Sequence, residues 1–131
     1  MTKLFIVLAL LAAVITAAAL EQHFIQGAYK YMERETNALI ELIEPESVTK
    51  VDEPEFIERI NAMYDYWIKA ERRLSMLARH FDLAQLSTNI IYAKNFIEFD
   101  NKEEAMVGLL QMRYLIKTHS FNVGTSIQNV I

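Results

Sequence analysis

Residues 52–81 read DEPEFIERINAMYDYWIKAERRLSMLARHF, and their hydrophobic pattern decides the fold. Apolar or small side chains recur at steps of four and three along the whole stretch: Phe56, Ile60, Met63, Trp67, Ala70, Leu74, Leu77 and Phe81. This spacing predicts an amphipathic α-helix over residues 53–80. One helix cannot bury such a stripe alone, so other helices must pack on it. Trp67 is the only tryptophan, and we expect it at the centre of the core with its indole N–H hydrogen-bonded.

Further helices are predicted on both sides of this stretch. Apolar stripes at helical spacing run through residues 21–44, 83–99 and 102–119. Residues 45–51, which begin with a proline and contain three β-branched residues, form a linker. Asp52, Asp82 and Asn101 are each followed three residues later by Glu or Gln, the spacing of a capping box, so each is expected to begin a helix. A turn at residues 121–124 is expected to precede a short tail, residues 125–131.

The connections between these helices define the fold class. They are only two or three residues long after residue 80, and the whole chain has three glycines and two prolines. Short connections make neighbouring helices antiparallel. The sequence therefore predicts an all-α protein, in which an N-terminal transmembrane or signal helix is followed by an antiparallel bundle of three to four helices.

The N-terminal run from Leu4 to Leu20, LFIVLALLAAVITAAAL, has no charged residue. As an uncleaved anchor it would span about 25 Å, close to the thickness of the hydrocarbon core of a bilayer. As a signal peptide it has a basic start at Lys3 and a small-residue cleavage site ending at Ala19. The run continues into helical sequence without Pro, Gly or Ser, which favours the anchor. Lys3 favours an N-terminus inside the cell and residues 21–131 outside.

Composition excludes several classes of site and partner. The 131 residues include 13 Lys and Arg against 17 Asp and Glu, with no basic block, which argues against a nucleic-acid partner. The same acidity argues against binding of anionic lipid by the body of the domain. The chain has no cysteine, so disulfides, thiolate catalysis and zinc–thiolate sites are excluded.

Motifs for catalysis or for metal binding are not found. The residue three positions before each of His23, His80 and His119 is apolar, so no helical Glu-x-x-His pair exists and we predict no metal site. No serine has the Gly-x-Ser-x-Gly context, and no glycine-rich phosphate loop is present. We therefore expect no cofactor, no catalytic residue and no enzymatic activity.

Aromatic residues on the two central helices provide the remaining candidate site. Tyr64, Trp67 and Tyr92, with His80 at a helix end, could form the rim of a groove for an apolar ligand, a peptide or a protein partner. The competing interpretation is a core with tyrosine hydroxyls at its edge, and a histidine whose partial charge suits a helix C-terminus.

Short motifs along the chain resemble those of one protein family. They are the tryptophan within YWIKAERRLSML at residues 66–77, His80 after it, Lys-Glu-Glu-Ala at residues 102–105, and the C-terminal Asn-Val-Ile at residues 129–131. The chain resembles a family of small membrane-anchored helical proteins of unknown function, common in spore-forming Gram-positive bacteria. The resemblance implies a helical domain on a membrane anchor and no catalytic residues. Residues 121–124 depart from the charged linker expected there.

Two functions from different classes remain open on the sequence alone. The first is a non-catalytic, single-pass membrane protein, held in the bilayer through residues 4–20, whose extracytoplasmic domain (residues 21–131) has a structural or protein-interaction role. The alternative is a secreted helical domain, released by cleavage near Ala19, that binds a small apolar ligand or peptide.

Overall fold

The first helix, α1, has two halves with different surroundings. In the computed structural model, which describes the backbone of residues 1–74 and 80–130 and the side chains of residues 1–74 and 83–120, α1 spans Thr2–Ile43. Every side chain before Glu21 is exposed. From Ile25 onward, one side of the helix is buried: Ile25, Ala28, Tyr29, Met32, Thr36, Leu39, Ile40 and Ile43. The apolar run and the stripe after it therefore belong to one continuous helix.

Three further helices complete the fold. α2 spans Pro54–Leu74, α3 spans His80–Glu98 and α4 spans Lys102–Val130. α1 and α3 each pack against both α2 and α4, so the four helices surround one core. Within the described residues the structure has no strand. The predicted all-α class, with a long apolar N-terminal helix, is confirmed.

Contacts along α1 and α2 show that these helices run antiparallel, as the pairs of Tyr64 with Lys94 and Trp67 with Ser87 show for α2 and α3. Tyr31 and Tyr66 stack with their ring centroids 3.7 Å apart, while further along α2 the Arg73 guanidinium lies 4.5 Å from the Phe24 ring centroid. The stripe on α2 faces the core: Phe56, Ile60, Met63, Trp67, Ala70 and Leu74 are buried. Leu77 and Phe81 lie outside the described side chains.

Two predicted helix boundaries differ from the structure. α3 begins at His80, where the sequence pattern placed the end of the preceding helix, and residues 75–79 lie outside the described residues. α4 continues to Val130, so the turn expected at residues 121–124 and the separate tail at residues 125–131 are wrong. Gly124 is the only helix breaker in that segment, and one glycine inside a helix costs only about 1 kcal/mol relative to alanine.

The predicted capping residues meet three different outcomes. Asn101 is confirmed, because its Oδ1 accepts the backbone N–H of Glu104 at 3.1 Å. Asp52 is wrong as the cap of α2: the helix begins at Pro54, and the carbonyl of Glu53 accepts the first helical hydrogen bonds. Proline suits this first position because its missing N–H would have no helical partner. The side chain of Asp82 lies outside the described residues.

The turn between α3 and α4 is tied to the linker between α1 and α2. Asp100 has a φ of 57°, and the N–H groups of Asp100 and Asn101 bond back to the last turn of α3 at 3.1 and 2.8 Å, as in a Schellman motif. The Asp100 Oδ1 accepts the N–H of Val51 at 2.7 Å. Lys102 Nζ donates to two linker carbonyl oxygens, each at 2.7 Å. These bonds fix the end of the bundle that lies away from the apolar half of α1.

Candidate functional site

Trp67 lies at the centre of the bundle in a short polar network. Its side chain is completely buried, and its Nε1 donates a hydrogen bond to the Ser87 Oγ at 2.9 Å. That oxygen lies 2.7 Å from Glu71 Oε2 and 3.0 Å from the carbonyl oxygen of Leu83, and its single proton serves one of these acceptors at a time. The predicted burial and hydrogen bonding of the indole are confirmed. The network satisfies a buried donor that would otherwise lose its hydration.

A buried aromatic group extends from Trp67 toward α1 and α4. The ring of Tyr29 lies 5.9 Å from that of Trp67 and 6.4 Å from that of His119, and Tyr29 and His119 are 3% and 5% exposed. The sequence pattern placed His119 at a helix end, but α4 continues past it. His119 follows Met112 and Ile116 on the buried side of the helix, so extending the apolar stripe by one step would have found it.

Of the four residues predicted as an interaction rim, the three whose side chains are described do not form one surface. Trp67 offers no surface because it is fully buried. Tyr64 is half-buried, with its ring 5.8 Å from Lys94 Nζ at the junction of α2 and α3. Tyr92 lies at the other side of α3, against α4. His80 is the first residue of α3, and its side chain lies outside the described residues.

Tyr92 joins α3 to α4 through a charge-assisted hydrogen bond. Its hydroxyl donates to Glu104 Oε2, and its ring lies 4.7 Å from the ring of Phe96. This hydrogen bond raises the pKa of Tyr92 above its ordinary value of 10.0, and partial burial and the negative charge of Glu104 raise it further. The pair holds the phenol in its neutral form.

The raised pKa of Tyr92 predicts a pH effect that Glu104 controls. In the Glu104→Gln variant we expect Tyr92 to ionise at lower pH, because the carboxylate that opposes a phenolate charge is gone. The Tyr92 transition is identified by comparing tyrosinate ultraviolet absorbance with that of a Tyr92→Phe variant, while circular dichroism monitors folding. Because folding raises the pKa of Tyr92, its hydrogen bond to Glu104 contributes fully to the stability of the fold below pH 10. This contribution is lost as the pH rises through the pKa that Tyr92 has in the folded protein. An unchanged transition in Glu104→Gln would contradict this assignment.

The outer side of α4 carries a row of exposed apolar residues. Val107, Leu110 and Tyr114 are 43%, 40% and 69% exposed, and their spacing places them on one face of the helix. Ile91, on the neighbouring helix α3, is 41% exposed. We call Val107, Leu110 and Tyr114 the outer stripe of α4. The sequence pattern missed it because it covered only the buried stripe of α4, and these positions lie on the opposite face of the helix.

Shallow depressions lie at two places on the described surface. One open depression of about 230 Å³ lies on α3, lined by Ala84, Gln85, Thr88 and Asn89. A second, of about 180 Å³, is lined by Leu20, Glu21, Phe24 and Arg73, where the apolar run meets the bundle. No group of three or more His, Cys, Asp or Glu side chains in the described part of the chain is arranged to hold a metal ion.

The N-terminal half of α1 is long and apolar enough to cross a membrane or to act as a signal sequence, and none of its most apolar stretch is buried in the bundle.

Comparison with protein-family models, with curated proteins and with solved structures found no match to this chain.

Proposed function

We propose that this protein is a single-pass membrane protein whose helical bundle lies outside the cytoplasm and has a non-catalytic, protein-interaction role. The proposal rests on α1, a single helix whose two halves have different surroundings. Its apolar half is exposed in the bundle structure, and its second half supplies eight buried residues to the core. One uninterrupted helix would therefore link a membrane span rigidly to the folded domain.

The continuity of α1 also favours a retained anchor over a cleaved signal peptide. Ala17, Ala18 and Ala19, the small residues of the potential cleavage site, lie in the middle of this 42-residue helix. Cleavage there would require local unwinding, and no Pro, Gly or Ser near the site weakens the helix. Lys3 favours insertion with the N-terminus inside. This assignment agrees with the resemblance to small membrane-anchored proteins.

The outer stripe of α4 is the surface best suited to a protein partner. A surface helix ordinarily carries polar residues on the face opposite its buried stripe. Here that face presents Val107, Leu110 and Tyr114 to solvent, and tyrosine is enriched at protein interfaces. Burial of this stripe against another membrane protein would remove apolar surface from water.

The decisive measurement is whether the N-terminal apolar segment is retained or cleaved. The full chain is expressed with a C-terminal tag, the cells are fractionated, and the mass of the intact protein is measured by mass spectrometry. We expect the full-length mass in the membrane fraction, and we expect Thr49→Cys to react with a membrane-impermeant maleimide in whole cells, since the chain has no other cysteine. A soluble product that begins near Leu20 would contradict the anchor and favour a secreted, ligand-binding domain.

Affinity purification from the same membranes tests whether the outer stripe of α4 binds a partner. After solubilisation in detergent, affinity purification of the tagged chain is expected to recover a specific protein that is lost in a Leu110→Glu, Tyr114→Glu variant. The charge-matched control carries Thr88→Glu and Asn95→Glu, at two exposed positions on the outer side of α3. Recovery of the same proteins with both variants would contradict a role for the outer stripe.

A further inference from the structure

The two ends of the bundle differ in charge. Antiparallel packing brings together residues 21–30, 69–74, 80–87 and 113–120, which we call the basal end because the apolar half of α1 leaves the bundle there. Arg73 over Phe24, and Ser120 Oγ at 3.4 Å from Gln26 Oε1, are contacts within it. The opposite, far end consists of residues 41–59 and 94–104, joined by the bonds of Asp100 and Lys102 described above.

Acidic residues collect at the far end and basic residues at the basal end. Within the ranges just given, the far end contains eleven Asp and Glu against four Lys and Arg, whereas the basal end contains six Lys and Arg against three Asp and Glu. Lys69, Arg72, Arg73 and Lys117 are exposed at the basal end. Although the net charge of the whole chain is −4, the surface next to the apolar run is therefore basic.

Helix dipoles explain only part of this separation. α2 and α4 begin at the far end, so Glu55, Glu103 and Glu104 in their first turns are stabilised there. α1 and α3, however, end at the far end, and neither has a basic residue in its last turn. Glu41 at the C-terminal end of α1 opposes the dipole, and Glu98 at the end of α3 does so while paired with Lys94 at 3.0 Å. The separation of charge thus goes beyond what helix stability favours.

The basal end lies at the depth of lipid headgroups if the apolar run crosses a bilayer. Ile25, the first buried residue of α1, follows Leu20 by only five positions, or about 8 Å of helix. The headgroup region on each side of the hydrocarbon core is about 5–8 Å thick. The basic side chains around this point would therefore lie within one Debye length, about 8 Å, of lipid phosphates.

We propose that the basal end of the bundle docks on anionic phospholipid headgroups of the membrane that α1 crosses. This inference rests on the proposed membrane anchor. Among the described cations, Arg73 lies over the Phe24 ring and lines, with Leu20 and Glu21, the depression where the apolar run meets the bundle. The acidic far end does not oppose docking, because α2 alone, at 21 residues, separates the two ends by about 30 Å, several Debye lengths.

The test compares vesicles of phosphatidylcholine with vesicles that also contain phosphatidylglycerol. The full chain is reconstituted with one fluorescent label, at Ala84→Cys near the base of α3 or at Thr49→Cys at the far end; both positions are exposed. A nitroxide on the lipid headgroup quenches a label that lies near the surface. We expect stronger quenching of the Ala84 label in anionic vesicles, with loss of the difference at high salt, and no lipid dependence at the Thr49 label.

A charge-matched pair of variants makes the test specific. Replacing Lys69, Arg73 and Lys117 by Gln is expected to lower the ratio of docked to undocked bundle about a hundredfold, since each cation near an anionic surface changes that ratio by about fivefold. The control replaces Arg34, Lys50 and Arg59, exposed cations outside the basal end, and should retain the quenching. Equal quenching of the Ala84 label in neutral and anionic vesicles would overturn the inference while the anchor stands. Failure of the protein to float with either vesicle would overturn the anchor itself.

Discussion

Replacing Trp67 by alanine is expected to lower the free energy of unfolding by about 3–5 kcal/mol. The side chain is fully buried where α2 meets its neighbours, so truncation removes its apolar contacts and leaves a cavity. It also removes the donor to the Ser87 Oγ. Urea denaturation of the detergent-solubilised full chain, followed by far-ultraviolet circular dichroism, measures the change. A free energy of unfolding within 1 kcal/mol of the wild type, a limit well below the about 3 kcal/mol minimum expected, would contradict the central position of Trp67.

Two companion variants separate the causes of this loss. Trp67→Phe keeps most of the apolar volume but lacks the N–H, so it should lose about 1–2 kcal/mol, from the hydrogen bond and a small cavity. Phe99→Ala truncates an aromatic side chain that is 78% exposed, and it should stay within about 0.5 kcal/mol of the wild type. A similar loss in all three variants would indicate a general effect of aromatic truncation.

The spacing of the apolar residues predicted the core well, because the residues that a helix buries recur at the helical repeat. Every described side chain of the α2 stripe is buried, and the tryptophan singled out by composition lies at its centre. Helix ends were less predictable. Asp52 has the better capping side chain, but Pro54 takes the first helical position, so Glu53 precedes the helix. Gly124 resembles a helix end in the sequence, yet α4 passes through it.

The candidate surfaces could not be predicted in the same way, because they depend on which helices are neighbours and which way each runs. Tyr64 and Tyr92 lie on adjacent helices and look like one aromatic cluster in the sequence. In the structure Tyr64 faces Lys94 and Tyr92 faces Glu104, on different sides of α3. The basic basal end arises for the same reason. Arg73 and Lys117 are far apart in the chain, and only the antiparallel order of the helices brings their ends together.

Gly108 lies where α4 packs tightly against α3, and its replacement by alanine is expected to be destabilising. A Cβ atom built at Gly108 would lie 2.9 Å from Tyr92 Cδ1 and 3.2 Å from Ala93 Cα. The first neighbour belongs to a ring held by the hydrogen bond to Glu104, and the second is backbone, so relief requires the helices to move apart. Such overpacking costs about 1–3 kcal/mol.

Gly27 provides the matched control for Gly108, because both glycines lie inside helices. A Cβ atom at Gly27 would meet nothing within 4 Å, so Gly27→Ala should stabilise the protein by about 0.5–1 kcal/mol through helix propensity alone. That gain in propensity is common to both variants and cancels in their difference. Urea denaturation of the pair therefore isolates the contact cost at Gly108, and Gly108→Ala should be less stable than Gly27→Ala by about 1–3 kcal/mol. Equal stabilisation by the two substitutions would show that α3 and α4 are not in backbone contact at this position.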